Sequence, residues 1–255
     1  MNDANRARGR VRIEPGAKRV RAYLEGRLVA DTVRPLYVWE IPYYPAYYLP
    51  LADVAATLVA TGEVEHSPSR GDGQRHDVQV DGAVAPGAAV TFPESPFEPL
   101  RDHVRLDWDA MTSWFEEDEE VYTHPRSPYA RIDVLPSSRH VVVTSGDTVL
   151  ADSTRAHVLH ETGLPPRWYI PQVDVHMDRL APSDTVTHCP YKGTTVHYTA
   201  PVDGAATDVA WSYPFPLPES IRVAGLVAFY DDRVTVAVDG EPVGAAPALP
   251  VTPRS

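Results

Sequence analysis

Apolar and polar residues alternate over short stretches through most of the chain, the period expected of half-buried β-strands. Val20, Ala22 and Leu24 are separated by Arg21 and Tyr23, Glu25-Gly26 supplies a turn, and Leu28-Val29-Ala30 returns, so the segment predicts a β-hairpin. His140-Val141-Val142-Val143-Thr144, a turn at Ser145-Gly146-Asp147 and Thr148-Val149-Leu150-Ala151 predict a second. A third follows from Leu226–Tyr230, Asp231-Asp232 and Val234–Val238. A helical period shows most clearly at Trp108, Met111, Trp114 and Phe115 behind Asp107, which predicts a short amphipathic connecting helix. Residues 51–59, after Pro50, predict another short helix, and residues 173–180 a weaker one.

The pattern repeats. Ala30-Asp31-Thr32-Val33-Arg34 matches Ala151-Asp152-Ser153-Thr154-Arg155, Glu40 matches Glu161, and Tyr48-Leu49-Pro50-Leu51-Ala52-Asp53-Val54 matches Tyr169-Ile170-Pro171-Gln172-Val173-Asp174-Val175. All keep one offset, the 121 positions from Glu40 to Glu161, and His66 and His188 follow one residue later. Constant spacing across separated motifs indicates internal duplication. Each copy then carries an aromatic-proline segment, Phe92–Phe97 and Trp211–Pro216. The expectation is two homologous antiparallel β modules, small barrel- or tent-like sheets, over residues 11–121 and 128–245. The break falls in Thr123-His124-Pro125-Arg126-Ser127-Pro128.

Composition narrows the function. The 26 prolines among 255 residues, about twice the usual share, favour short strands and ordered turns. A net charge of −12 opposes binding to polyphosphate, so no nucleic-acid partner is expected. Its densest acidic run, Glu116-Glu117-Asp118-Glu119-Glu120, reads as a solvated linker face, or else as an acidic segment that binds a partner. No apolar run reaches the roughly 20 residues that span a bilayer, and Met1–Glu14 is polar and basic, so neither a membrane association nor a secretory signal is expected. Residues 1–10 read as a frayed tail. A single cysteine excludes an internal disulfide and fits a cytoplasmic location.

Ala-Asp-Ser-x-Arg, the lone glutamate, Tyr-x-Pro-x-x-Asp-Val, His-Cys-Pro-Tyr-Lys-Gly and Ala-Trp-Ser-Tyr-Pro together resemble the domain of unknown function 427 family, also labelled nucleotidyltransferase-like, in tandem form. The resemblance covers nearly the whole chain and implies a mainly β fold in a bacterial-type cytoplasmic protein. It implies no reaction. Nucleotidyl transfer lacks its own signature in these residues: no Gly-Ser precedes a paired Asp-x-Asp, and Lys192-Gly193-Thr194-Thr195 reverses the order of a phosphate loop.

Candidate chemistry gathers at Thr187–Thr195, where the only thiol, Cys189, adjoins His188 and precedes Lys192 by three residues. The first copy has Ser67 and Arg70 at those places and reads as degenerate. Cys189 is a candidate nucleophile activated by Lys192 and His188; the rival role is a small buried thiol packing the core. His188 suits acid–base work or a structural hydrogen bond, and it shares a site with Cys189 only if the turn breaks the strand alternation. Glu161 and Asp174 are a candidate acid–base pair; alternatively a carboxylate bridges to Arg155 and fixes a loop. Arg155 and Lys192 are candidate anion holders, and Tyr169, Tyr191, Trp211 and Tyr213 are candidate pocket walls or core. No metal is expected, since adjacent His and Cys are not a usual chelating step, and the residues name no cofactor. The functional expectation is an enzyme using nucleophilic or acid–base chemistry on a small polar or anionic molecule. The alternative is a non-catalytic binding or regulatory module.

Overall fold

A computed structural model describes residues 11–243; the tail expected over residues 1–10 and the last two positions of the second module lie outside them. The chain divides between Ser127 and Pro128 into two compact units. Each is mainly β, and among the described residues helical geometry is confined to short 3-10 turns.

In the first unit a seven-stranded sheet runs Arg12–Pro15, Leu36–Trp39, Ala46–Pro50, His103–Leu106, Ala83–Thr91, Gly71–Val80, Thr57–Ser67, with every neighbour antiparallel. A four-stranded sheet runs Glu119–Glu120, Ser113–Glu116, Val20–Leu24, Arg27–Thr32. The second unit repeats the plan. Its large sheet is Ile132–Pro136, His157–Glu161, Arg167–Ile170, Val227–Phe229, Ala205–Ser212, Val196–Val202, Ala181–Ser183, and its small one Thr148–Ser153, Val141–Ser145, Thr235–Val238, Glu241–Pro242. Among the described residues no sheet closes into a barrel.

Period-two alternation builds both cores. Val20, Ala22 and Leu24 point one way and pack with Leu49, Val78, Ala89 and Val104 of the large sheet. Val141 and Val143 do the same with Trp168, Ile170, Ala210, Val227 and Phe229 in the second unit. The expected hairpins at Val20–Thr32 and Val141–Ser153 form, each turning through positive-φ residues, Glu25-Gly26 and Gly146; the third does not, because Val227–Phe229 pairs within the large sheet and Thr235–Val238 crosses to the small one.

The helical readings resolve differently. Trp108–Ala110 is one 3-10 turn, and Trp114 and Phe115 lie in the strand Ser113–Glu116 that pairs with Val20–Leu24. The spacing of apolar residues came from a turn that stacks Trp108 on Trp114, centroids 4.7 Å apart, with the Trp114 indole donating to the Trp108 carbonyl at 3.1 Å. Leu51–Asp53 is likewise a single 3-10 turn before the strand from Thr57, and residues 173–180 hold two such turns, Gln172–Asp174 and Met177–Arg179. The acidic run is solvated except at its first residue: Glu117, Asp118 and Glu119 are exposed and Glu120 half-buried, but Glu116 is 4% exposed and accepts from the Tyr47 hydroxyl at 2.7 Å and from Lys18 Nζ at 2.5 Å, while Glu117 (φ +52°) turns the chain back.

Candidate functional site

Alternation also gives each large sheet a second face. Along Arg167–Ile170, Trp168 and Ile170 enter the inter-sheet core, so Tyr169 points away from it. Ala228 and Trp211 do the same on the two next strands. With Val134, Leu159, Tyr213 and Val223 they form a smaller cluster on the outer face, against which Cys189 and Tyr230 pack half-buried.

Cys189 reaches this cluster on a tight hairpin, His188–Cys189 paired with Gly193–Thr194. The Lys192 amide donates to the Cys189 carbonyl at 3.3 Å, and the Leu217 amide to the Lys192 carbonyl at 3.1 Å, which ties the turn to the following segment. Gly193 is required twice: its φ is +99°, and a Cβ there would stand 3.3 Å from the Phe215 carbonyl oxygen. Gly193→Ala is expected to cost about 1–3 kcal/mol and to speed amide exchange at Leu217. Gly146→Ala, with φ +55° but open space, should cost less.

Lys192 and Glu161 meet at 2.5 Å, their side chains only 12% and 10% exposed. Burial alone would lower the Lys192 pKa, but Cys189, Glu161 and Tyr169 outweigh it and raise it, so the ammonium persists. Burial pushes the Tyr169 hydroxyl up to about 12. It raises Tyr213 as well, with Tyr169, Cys189 and Glu161 adding to the effect. Both phenols are therefore neutral donors at neutral pH. Tyr169 meets Trp211 edge-on, centroids 6.4 Å apart.

Of the residues named from the sequence, Cys189, Lys192, Glu161, Tyr169, Trp211 and Tyr213 thus share one neighbourhood, and Tyr191 sits half-buried in the hairpin turn. Asp174 belongs elsewhere. Arg155 grips it through two nitrogens, at 2.8 and 2.7 Å, and Ser153 donates to it at 2.8 Å; Arg155, first through its hydrogen bonds, lowers the Asp174 pKa. Thr32, Arg34 and Asp53 repeat this clamp in the first unit. His188 is exposed, on the opposite side of the hairpin from Cys189, with Nδ1 2.9 Å from the Thr194 hydroxyl. Among the described residues no three His, Cys, Asp or Glu side chains converge as metal ligands. A surface groove of about 470 Å³ between Thr144–Gly146, Pro201–Asp203 and Asp231–Thr235 touches none of these site residues.

The first unit shows what the second lacks. Glu40 Oε1 accepts from Arg70 at 2.5 Å and from Tyr48 at 2.7 Å, and its Oε2 accepts from Arg105 at 3.1 Å. Arg105 pairs with Tyr48 as Ala228 pairs with Tyr169, so the second cation is an alanine in the second unit. Among the described residues Lys192 is then the one hydrogen-bonding partner of the Glu161 carboxylate, and neither the Cys189 thiol nor the Tyr213 hydroxyl has a protein hydrogen bond. Sheet register fixes the aromatic match: Val90 faces Arg75 as Trp211 faces His197, so the counterpart of Phe92 is Tyr213. Tyr230 and His197, also at this face, were not singled out from the sequence. That His197 corresponds to Arg75, at the offset of His66 and His188, was the signal available.

These features define a duplicated β protein whose two halves share a buried glutamate–cation–tyrosine group. Residues 12–117 and 133–240 each match the family described as domain of unknown function (DUF427), and the chain belongs to that family in tandem form. Comparison with curated proteins gave no match. Among the described residues no helix is long and apolar enough to cross a membrane.

Proposed function

We propose that the second unit is the working half, and that Cys189 acts there as a nucleophile on a small polar or anionic molecule in a reducing, cytoplasmic setting. One observation carries this reading. The thiol stands beside a buried ammonium and two neutral phenols, whereas the matching groups of the first unit are bound to one another. Lys192 supplies the positive charge against which a thiolate forms and a substrate anion sits. Glu161 orients Lys192, and Tyr169 and Tyr213 donate to developing negative charge. His188 and the Arg155–Asp174 clamp stay outside the chemistry.

A second reading has its own support. The glutamate, cation and tyrosine recur in the first unit without a thiol, which suits a scaffold that merely captures a ligand. Because Cys189 is the only cysteine, alkylation separates the two. The native protein should react with iodoacetamide at about pH 7 several-fold faster than the denatured chain. Equal or slower native labelling removes the nucleophile and leaves the binding module.

A further inference from the structure

We infer that His197 is a positioning residue for the hairpin that carries Cys189 and Lys192: its neutral ring clasps the two threonines at the hairpin base, and its protonation loosens them. His197 Nε2 lies 2.9 Å from the Thr195 hydroxyl and 3.1 Å from that of Thr187. The two hydroxyls are 2.8 Å apart, the Thr187 amide donates to Thr195 Oγ1 at 3.0 Å, and the Thr195 amide donates to the Thr187 carbonyl at 3.0 Å. Thr187 and Thr195 stand immediately outside the paired His188–Cys189 and Gly193–Thr194, so this knot fixes where the thiol and ammonium are presented.

The ring is 2% exposed, and its Nδ1 is buried without a protein partner. Trp211 faces it across the strand pair, and Tyr230 stacks on it at 6.1 Å between centroids. The charged groups that face it are Asp208, which favours the imidazolium, and Arg233, which lies over the Tyr230 ring at 4.2 Å and opposes it. Tyr230 stays neutral, its pKa raised by burial. Asp208 is itself engaged by Thr185 at 2.7 Å, and its Oδ1 is buried without a partner.

The first unit builds the same place from other chemistry. Arg75 stands where His197 does and Glu65 where Thr187 does, joined at 2.6 Å. A guanidinium does not lose its proton in proteins. That hairpin is held by a fixed charge, whereas the one carrying Cys189 is held by a group that titrates.

Burial lowers the His197 pKa in the docked state. A loosened hairpin exposes the ring and returns it towards the ordinary value of about 6.5, so the loosened state binds more protons. The clasp is therefore whole above about pH 6.5 and weakens as pH falls through the lower docked value. The clasp stands on the hairpin's own geometry; only its consequence for the thiol rests on the reading of Cys189 above.

Amide exchange at Thr187 and Thr195 in the full-length protein tests it, with each rate referred to the intrinsic rate at that pH. Between about pH 7.5 and 5.5, one unit below the ordinary histidine value, wild-type protection should fall several-fold and at most about tenfold. His197→Gln, polar and non-titrating, should keep its protection at both, and His197→Ala should lose it at both. A constant wild-type value, or the same fall in His197→Gln, overturns the inference. Should a variant fail to fold, the midpoint of the wild-type exchange profile must match the titration of the His197 ring by NMR, and a mismatch overturns it equally. Iodoacetamide on the same samples keeps the claims apart: pH-dependent exchange with slow Cys189 labelling upholds the clasp and removes the nucleophile.

Discussion

Lys192→Met should destabilise the second unit by about 3–5 kcal/mol, because it leaves the Glu161 carboxylate buried without its counter-charge. The pair is 2.5 Å apart with each side chain about nine-tenths buried, so water cannot replace the lost ammonium without the hairpin moving. Removing both charges is different. Lys192→Met with Glu161→Gln should recover much of the loss, since breaking a buried pair costs far more than replacing it. The first unit supplies the control. Arg70→Met leaves Glu40 with Arg105 at 3.1 Å and Tyr48 at 2.7 Å, so the loss there should be smaller. Urea unfolding followed by amide exchange assigns each change to its unit, which a single transition midpoint does not do in a two-unit chain. A neutral Lys192→Met would contradict the burial described.

That pair shows how far the sequence could be read. Both Lys192 and Glu161 stood out as chemical residues, yet 31 positions separate them and nothing local links them. Only the sheet brings them together. Glu161 ends one strand of the large sheet, and the hairpin that follows the next strand but one folds back over that sheet's outer face. The duplication itself was legible because it lies in constant spacing, which needs no geometry. The Arg155 motif was legible for the same reason, and its repeat at Arg34 and Asp53 identifies it as a loop clamp present in both units.

The misread elements share one cause, tertiary pairing that overrode a local pattern. Trp108, Met111, Trp114 and Phe115 sit at helical spacing, but Val20–Leu24 offers an open strand edge, and Ser113–Glu116 takes it. The aromatic-proline segments were legible as a pair, and strand register fixes their match, Phe92 with Tyr213. That match places a phenol where the first unit has only a ring with Arg70 above it at 4.9 Å. The second unit's outer face therefore gains a donor just where it also gains a thiol and loses a guanidinium. Three coordinated differences at one place, on an otherwise repeated scaffold, are what direct attention to this half.

Glu116→Leu should cost the first unit about 3–4 kcal/mol, a large loss for one position in a run that composition alone marks as solvated. The carboxylate is 4% exposed and lies between two elements, accepting from Tyr47 at 2.7 Å, Lys18 at 2.5 Å and the Arg126 amide at 3.2 Å. Lys18 is 43% exposed, and water takes it up when its partner goes. Tyr47 has no such recourse, being 3% exposed, with burial and then Glu116 holding its hydroxyl protonated at any ordinary pH. Its hydroxyl would be left with the Tyr37 hydroxyl as its one partner, among the rings of Tyr37 and Trp114. Tyr47→Phe in the Glu116→Leu background should then recover part of the loss, because it removes a buried donor that has lost its acid, whereas Tyr47→Phe by itself should destabilise by leaving the acid one donor short. Chemical denaturation of the four proteins closes the cycle. Additive losses would mean that the acid and the phenol do not depend on each other, and that Glu116 is held by the solvated lysine after all.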